Sequence, residues 1–147
     1  MADQEGTEVN TLEQILESDL ESVDKAEEAV LEEAQRLGFD EDDLHKIGMS
    51  MRECMVNAVV HGNRYNRRKK VYLKVVRSAE CLTIWIGDEG DGFNPQEVPD
   101  PLEGDNLLRG SGRGVMLMQA FMDEFQVSRR EPQGTEVRMV KCRAKSE

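Results

Sequence analysis

Three short stretches of this chain combine residue types that can do chemistry. Glu53-x-x-x-Asn57 sets a carboxylate and an amide about one helical turn apart, so one face of a helix would carry a base and a ligand for a metal ion. Asp88-x-Gly90-x-Gly92 puts a carboxylate beside two glycines, a hydrogen-bond acceptor at a turn where backbone can come close to a ligand. Gly110-Ser-Gly112-Arg113-Gly114 precedes a helical pattern, and N–H groups freed by glycine at a helix N-terminus cradle an anion. Each stretch is weak alone. In this order they describe a pocket for a nucleotide and its metal ion.

The helix that must carry the first stretch shows two seams. Leu44, Ile47, Met51, Met55 and Ala58 recur at helical spacing and face a core. Ser50, Glu53, Asn57 and His61 form a second, polar seam roughly a quarter-turn or more away. A helix flooring a pocket would look like this. A solvated face is the other reading, but Glu, Lys and Arg suit such a face better than Ser, Asn and His. Asp88 can equally be a plain turn residue, since Asp and Gly dominate turns. The glycine run is neither a Walker A sequence nor a Rossmann fingerprint, because it follows a long loop rather than a strand. It reads as a phosphate cradle, as a hinge, or as both.

Other features carry less. His61 near a helix end is structural or dipole-stabilised before it is a base. The run Arg64, Arg67, Arg68, Lys69 and Lys70 reads as a solvated loop, Met116, Met118 and Met122 as core filler, and Trp85 as a packed strand residue. No Ser-His-Asp or Cys-His arrangement supports nucleophilic hydrolysis.

The remaining elements follow from local signals. Thr11 to Glu17 is an edge strand or a helix start. A helix runs from about Ser22, its expected N-cap, to Leu37, with Ala26, Ala29, Val30 and Ala34 as its stripe and Gly38 as its stop. Asp40 caps the next helix, whose first turn holds Glu41, Asp42 and Asp43, and Gly62 is expected to end it in the left-handed conformation. Val71 to Val76 and Leu82 to Ile86 read as strands around Ser78-Ala79-Glu80. Phe93 to Arg109, with Pro95, Pro99 and Pro101, is a loop too long for mere connection. Val115 to Phe121 is a third helix. Glu124 to Arg129 and Glu136 to Lys141 are strands around Pro132-Gln133-Gly134. Strands then helices on an unsplit chain predict a two-layer α/β sandwich with three helices on one face of a sheet of about five strands.

The chain has 147 residues, one domain's worth, and a net charge of -11, which argues against a nucleic-acid partner. Residues 1–10 are polar and acidic and read as disordered, leaving a single domain over 11–143. Three cysteines, Cys54, Cys81 and Cys142, without C-x-x-C spacing fit reduced thiols in a cytoplasmic protein rather than a disulfide frame or zinc site. Neither a membrane span nor a signal peptide is apparent.

Together these residues resemble the GHKL ATP-binding superfamily of DNA gyrase, histidine kinases and mismatch-repair ATPases. Within it they resemble the compact anti-sigma-factor serine kinases of the RsbW and SpoIIAB type. The resemblance runs from about Leu12 to Cys142. Glu53-Cys-Met-Val-Asn57-Ala58-Val-Val-His61-Gly62 is similar to the N-box, Asp88 to Phe93 to the second box, Gly110 to Gly114 to the glycine-rich box, and Gly134-Thr135 to the last motif. The resemblance implies a Bergerat-type fold with a mixed sheet and an ATP lid over about 93–111. It implies that Asn57 binds Mg²⁺ and that Asp88, helped by Thr135, holds the adenine amino group. Gly90, Gly92, Gly110, Gly112 and Gly114 would complete the ATP site, and Glu53 would be the general base. Arg109 or Arg113 could add charge at the γ-phosphate, although Arg113 stands where the family often has an apolar residue. The implied activity is phosphorylation of a STAS-type anti-anti-sigma protein by a homodimer that otherwise sequesters a sigma factor. A catalytically silent ATP-binding module is the alternative, although it has no need of Glu53. A histidine-kinase catalytic domain would need His45 or His61 as phospho-acceptor, and both lie on the motif's own helix.

Overall fold

The structure, a computed structural model, describes residues 10–90 and 118–143, and every structural statement below refers to them. Strand β1 (Asn10–Leu16) settles the first ambiguity. Leu12 and Leu16 pack on the core while Glu13 and Ile15 are exposed, an alternation that only a strand gives. Asn10 therefore belongs to the sheet and not to the polar tail, whose other residues lie outside the described ones.

Helix α1 (Leu20–Leu37) starts two residues earlier than its pattern suggests. Its cap is Asp19, in extended conformation, whose Oδ1 accepts from the Ser22 N–H and from Ser22 Oγ, each at 2.9 Å. Ser22 is thus the third helical residue and not the cap, because the carboxylate three positions back takes its amide first. Gly38 ends α1 at φ 95°, and Asp40 caps α2 (Glu41–Val56) through the Asp43 N–H, both as expected.

Beyond α2 the helix does not stop but widens into a π turn, Asn57–Gly62, closed by Asn63 N–H on Ala58 O at 2.8 Å. Gly62 is not left-handed. The left-handed residues are Arg64 (φ 53°) and Tyr65 (φ 60°), with Tyr65 N–H on Val59 O at 2.9 Å. The expected loop then leads to the hairpin of β2 (Val71–Arg77) and β3 (Cys81–Gly87). Residues 118–121 are helical, and β4 (Glu124–Arg129) and β5 (Thr135–Cys142) form a second hairpin.

The sheet order is β1-β2-β3-β5-β4. A mixed sheet was expected, but every pairing is antiparallel. β3 and β4 do run in the same direction, as a strand–helix–strand crossover requires, yet β5 inserts between them and pairs antiparallel with both. Leu73, Ile84, Ile86 and Met139 on one face of the sheet meet Val30, Ile47, Met51 and Met55 of the helices. The result is the two-layer α/β sandwich, with Met118 and Met122 in its core. Among the described residues no helix is long and apolar enough to cross a membrane.

One expectation fails here. Cys81 and Cys142 are direct partners across β3 and β5, Cα–Cα 4.0 Å, and form a disulfide, leaving only Cys54 as a thiol. Sequence spacing could not show it, because register and not separation brings the two sulfurs together.

Candidate functional site

Asp88 follows directly on β3, and β5 fixes it. Its N–H donates to Thr135 O at 2.9 Å, while its Oδ1 accepts from the Gly90 N–H at 2.9 Å and the Thr135 N–H at 3.2 Å. Thr135 therefore reaches Asp88 through its backbone. Both fixed contacts use Oδ1. Oδ2 lies over Gly62, and among the described residues no donor meets it.

Glycine is required at three points around this carboxylate. A Cβ on Gly62 would sit 2.6 Å from Asp88 Cγ, one on Gly90 2.6 Å from the Gly62 carbonyl carbon, and one on Gly134 2.7 Å from the Asp88 carbonyl carbon. Gly134 also has φ +117°. Three elements thus converge on Asp88 with no room for a side chain, which is why Gly62 serves close approach rather than a left-handed cap. Burial raises the Asp88 carboxyl above its ordinary value, against the opposing pull of the Gly90 and Thr135 N–H groups and of the Arg130 and Lys69 charges. An acceptor held in a dry niche, with one oxygen that no described residue donates to, suits a ligand that brings a hydrogen-bond donor.

The helix under Asp88 carries the polar seam inward. Ser50 is 2% exposed and Asn57 3%, while Glu53 is half-buried about one turn, roughly 6 Å, from Asn57 along the axis. Neither amide atom of Asn57 has a hydrogen-bond partner, nor has Ser50 Oγ. A solvated face would not bury them, and a purely structural amide would not stay unpaired, since each orphaned group costs about 1–3 kcal/mol. The donor set fits Mg²⁺ and phosphate. An amide oxygen can ligate Mg²⁺, an amide N–H can donate to phosphate, and Mg²⁺ takes few protein ligands when phosphates supply the rest. Cys54 on the same helix is inert: its Sγ packs 3.0 Å from Met118 Sδ, and burial pushes its thiol far up.

Of the residues singled out in the sequence, Asp88, Gly90 and Thr135 come together, and Glu53 and Asn57 line the helix beneath them. Gly92, Gly110, Gly112, Arg113, Gly114 and the loop over 93–111 lie outside the described residues. Sequence reasoning missed Asn63, Glu89 and Tyr72. Asn63 accepts from the Glu89 N–H at 2.8 Å, and Glu89 accepts from the Tyr72 hydroxyl at 2.6 Å. An Asn after a helix-ending Gly reads as a turn residue, and only its place between two motifs hinted at more.

A glycine-walled acceptor at a strand end, above a helix with a buried unpaired amide, defines a nucleotide-binding α/β sandwich. The chain belongs to the histidine kinase-like ATPase domain family, whose sequence profile matches residues 16–141. It is similar to the anti-sigma F factors of Bacillus thuringiensis (strain Al Hakam) and Bacillus mycoides (strain KBAB4), each 34% identical over 102 residues, 68% of this chain and 70% of the relative. Its fold is similar to the crystal structure of the RsbU and RsbW domains of Rv1364c from Mycobacterium tuberculosis (TM-score 0.64, 14% identity), covering 94% of this chain but only 34% of that one. It is also similar to the mycobacterial sensor histidine kinase MprB (TM-score 0.55, 17% identity), covering 88% of this chain and 97% of that one.

Proposed function

We propose that this protein is an ATP- and Mg²⁺-dependent serine/threonine protein kinase and anti-sigma factor. It phosphorylates a STAS-type anti-anti-sigma protein and, when that partner is absent, sequesters a sigma factor, acting as a homodimer in the cytoplasm. Nucleic acid and membrane are not its partners. The observation that carries the nucleotide reading is the buried Asn57 amide without a hydrogen-bond partner among the described residues, on the helix whose Gly62 lies against Asp88 Oδ2. The similarity to anti-sigma F factors supports the choice of partner class.

Each residue then has a task. Asp88 Oδ2 accepts from the adenine amino group, beside Thr135 and the Gly62–Gly90 contact. Asn57 would hold Mg²⁺, which when bound would neutralise phosphate charge. Gly92, Gly110, Gly112, Arg113 and Gly114 contribute the phosphate contacts. Glu53 takes the proton of the attacking serine or threonine hydroxyl as its oxygen bonds to the γ-phosphorus and the bond to ADP breaks. Phosphoryl transfer needs little more than such positioning, charge neutralisation and a base.

The test pairs two measurements on one preparation: MgATP affinity by calorimetry, and transfer of labelled phosphate to the candidate antagonist. Binding with transfer supports the kinase. Binding without transfer to any co-purifying partner favours the silent module, and absence of both refutes the nucleotide reading.

A further inference from the structure

The Asp88–Glu89 turn is held on the side away from β5 by one amide. Asn63 is 1% exposed, and its side chain uses both ends. Oδ1 accepts from the Glu89 N–H at 2.8 Å, while Nδ2 donates to Ser18 Oγ at 2.8 Å and to Lys70 O at 3.0 Å. Its own N–H closes the π turn on Ala58 O. One residue thereby joins the π turn that carries Asn57 and Gly62, the connection between β1 and α1, the residue leading into β2, and the peptide next to Asp88.

Glu89 extends the clamp. Its Oε1 accepts from the Lys70 N–H at 3.0 Å and its Oε2 from the Tyr72 hydroxyl at 2.6 Å. The Arg130 guanidinium lies 4.1 Å from the centre of the Tyr72 ring. Ser18 Oγ in turn donates to Lys70's neighbour, Lys69 O. Asp88 is thus gripped by β5 on one side and by the Asn63–Glu89–Tyr72 chain on the other, with Gly62 directly below it.

We infer that Asn63 is a positioning residue for base recognition: it fixes Asp88 Oδ2 relative to Gly62 and so sets the preference of the pocket for a base with an exocyclic amine. This rests on the reading of Asp88 as the acceptor of the adenine amino group. A hydrogen bond tolerates only a few tenths of an ångström and a limited angle. Here that tolerance is set by a Gly62–Asp88 approach too tight for a methyl group, with the π turn and the Asp88 turn meeting in one amide. Removing the amide leaves the Glu89 N–H and Lys70 C=O without a partner and frees the two turns from each other.

The test compares ATP with inosine triphosphate, in which a carbonyl replaces the amine, by calorimetry on the whole chain. The wild type is expected to prefer ATP by at least about tenfold, the value of one well-made hydrogen bond. Asn63→Ala is expected to bring that ratio to within about threefold of unity, because it moves the acceptor and not the phosphate contacts. A residue that merely supports the fold would weaken both nucleotides alike, and an unchanged ratio overturns the inference. Should Asn63→Ala not fold, Ser18→Ala decides: it removes one acceptor of the same amide, so the ratio must fall in part, and an unchanged ratio again overturns it. A wild type that binds both nucleotides equally refutes the reading of Asp88 itself, and a wild type that binds neither refutes the nucleotide site. Both results are distinct from a failure of Asn63.

Discussion

Replacing Asn57 by Leu should make the protein more stable and useless for its proposed task. Asn57 is 3% exposed and leaves both amide atoms without a partner. Leucine has the same number and branching of side-chain heavy atoms, so cavity and overpacking terms stay small. At the lower end of about 1 kcal/mol per orphaned group, relieving two groups stabilises the nucleotide-free protein by about 2 kcal/mol. For a chain of this length each kcal/mol moves the melting temperature by about 2–4 °C, so Tm should rise by roughly 4–8 °C. Saturating MgATP adds to this picture. At a hundredfold excess over Kd it should stabilise the wild type by about 2.7 kcal/mol, and Asn57→Leu should lose that increment. Thermal and urea unfolding with and without MgATP measures both effects. A lower melting temperature in the nucleotide-free variant, or an undiminished MgATP shift, refutes the reasoning that this amide is kept unpaired for a ligand.

Asp88 should leave a mark on the pH dependence of stability. Its folded pKa is raised above the ordinary 3.8, so its contribution is fully present below that value and is lost as pH rises through the folded pKa. Asp88→Asn should therefore gain most over the wild type at neutral pH, with the gap narrowing on acidification, while ATP affinity falls; urea unfolding across the acid range checks this. The Cys81–Cys142 bond closes a span of 61 residues that includes Asp88 and Thr135. On the chain-entropy account its loss removes about 4 kcal/mol, so a reductant should lower Tm by roughly 8–16 °C. Mass analysis of unreduced protein should find two hydrogens fewer than the thiol form, and an identical Tm with and without reductant would argue that the bond is not closed in solution.

The sequence made the frame of the site legible and left its tuning obscure. The α2 stripe, the Asp40 cap and both hairpins follow from periodicity and local turn chemistry, which act within a few residues. The polar seam was visible for the same reason, and the burial of Ser50 and Asn57 turns it from a pattern into a physical demand. What stayed hidden depends on distant partners. Gly62 looks like a helix stop until Asp88 is seen above it, and Gly134 looks like an ordinary turn glycine until the Asp88 carbonyl is seen to fill the space a Cβ would need. Asn63 meets Ser18, 45 residues back, and Glu89, 26 residues on. Ser22 reads as a cap because a serine before an acidic turn and an aspartate three residues earlier give the same local signal, and the structure gives the cap to Asp19. The all-antiparallel sheet has a similar cause, since no local feature says that β5 inserts between β3 and β4.

The most direct test of the central claim is phosphate transfer from γ-labelled ATP to the antagonist protein by wild type and Glu53→Gln at saturating ATP. The wild type should transfer, and Glu53→Gln should be slower by about 10²–10⁴, the usual contribution of a positioned base, with ATP affinity held within about threefold. Transfer by the variant at the wild-type rate would contradict the assignment of the base. A wild type that binds ATP tightly and transfers nothing would contradict the kinase.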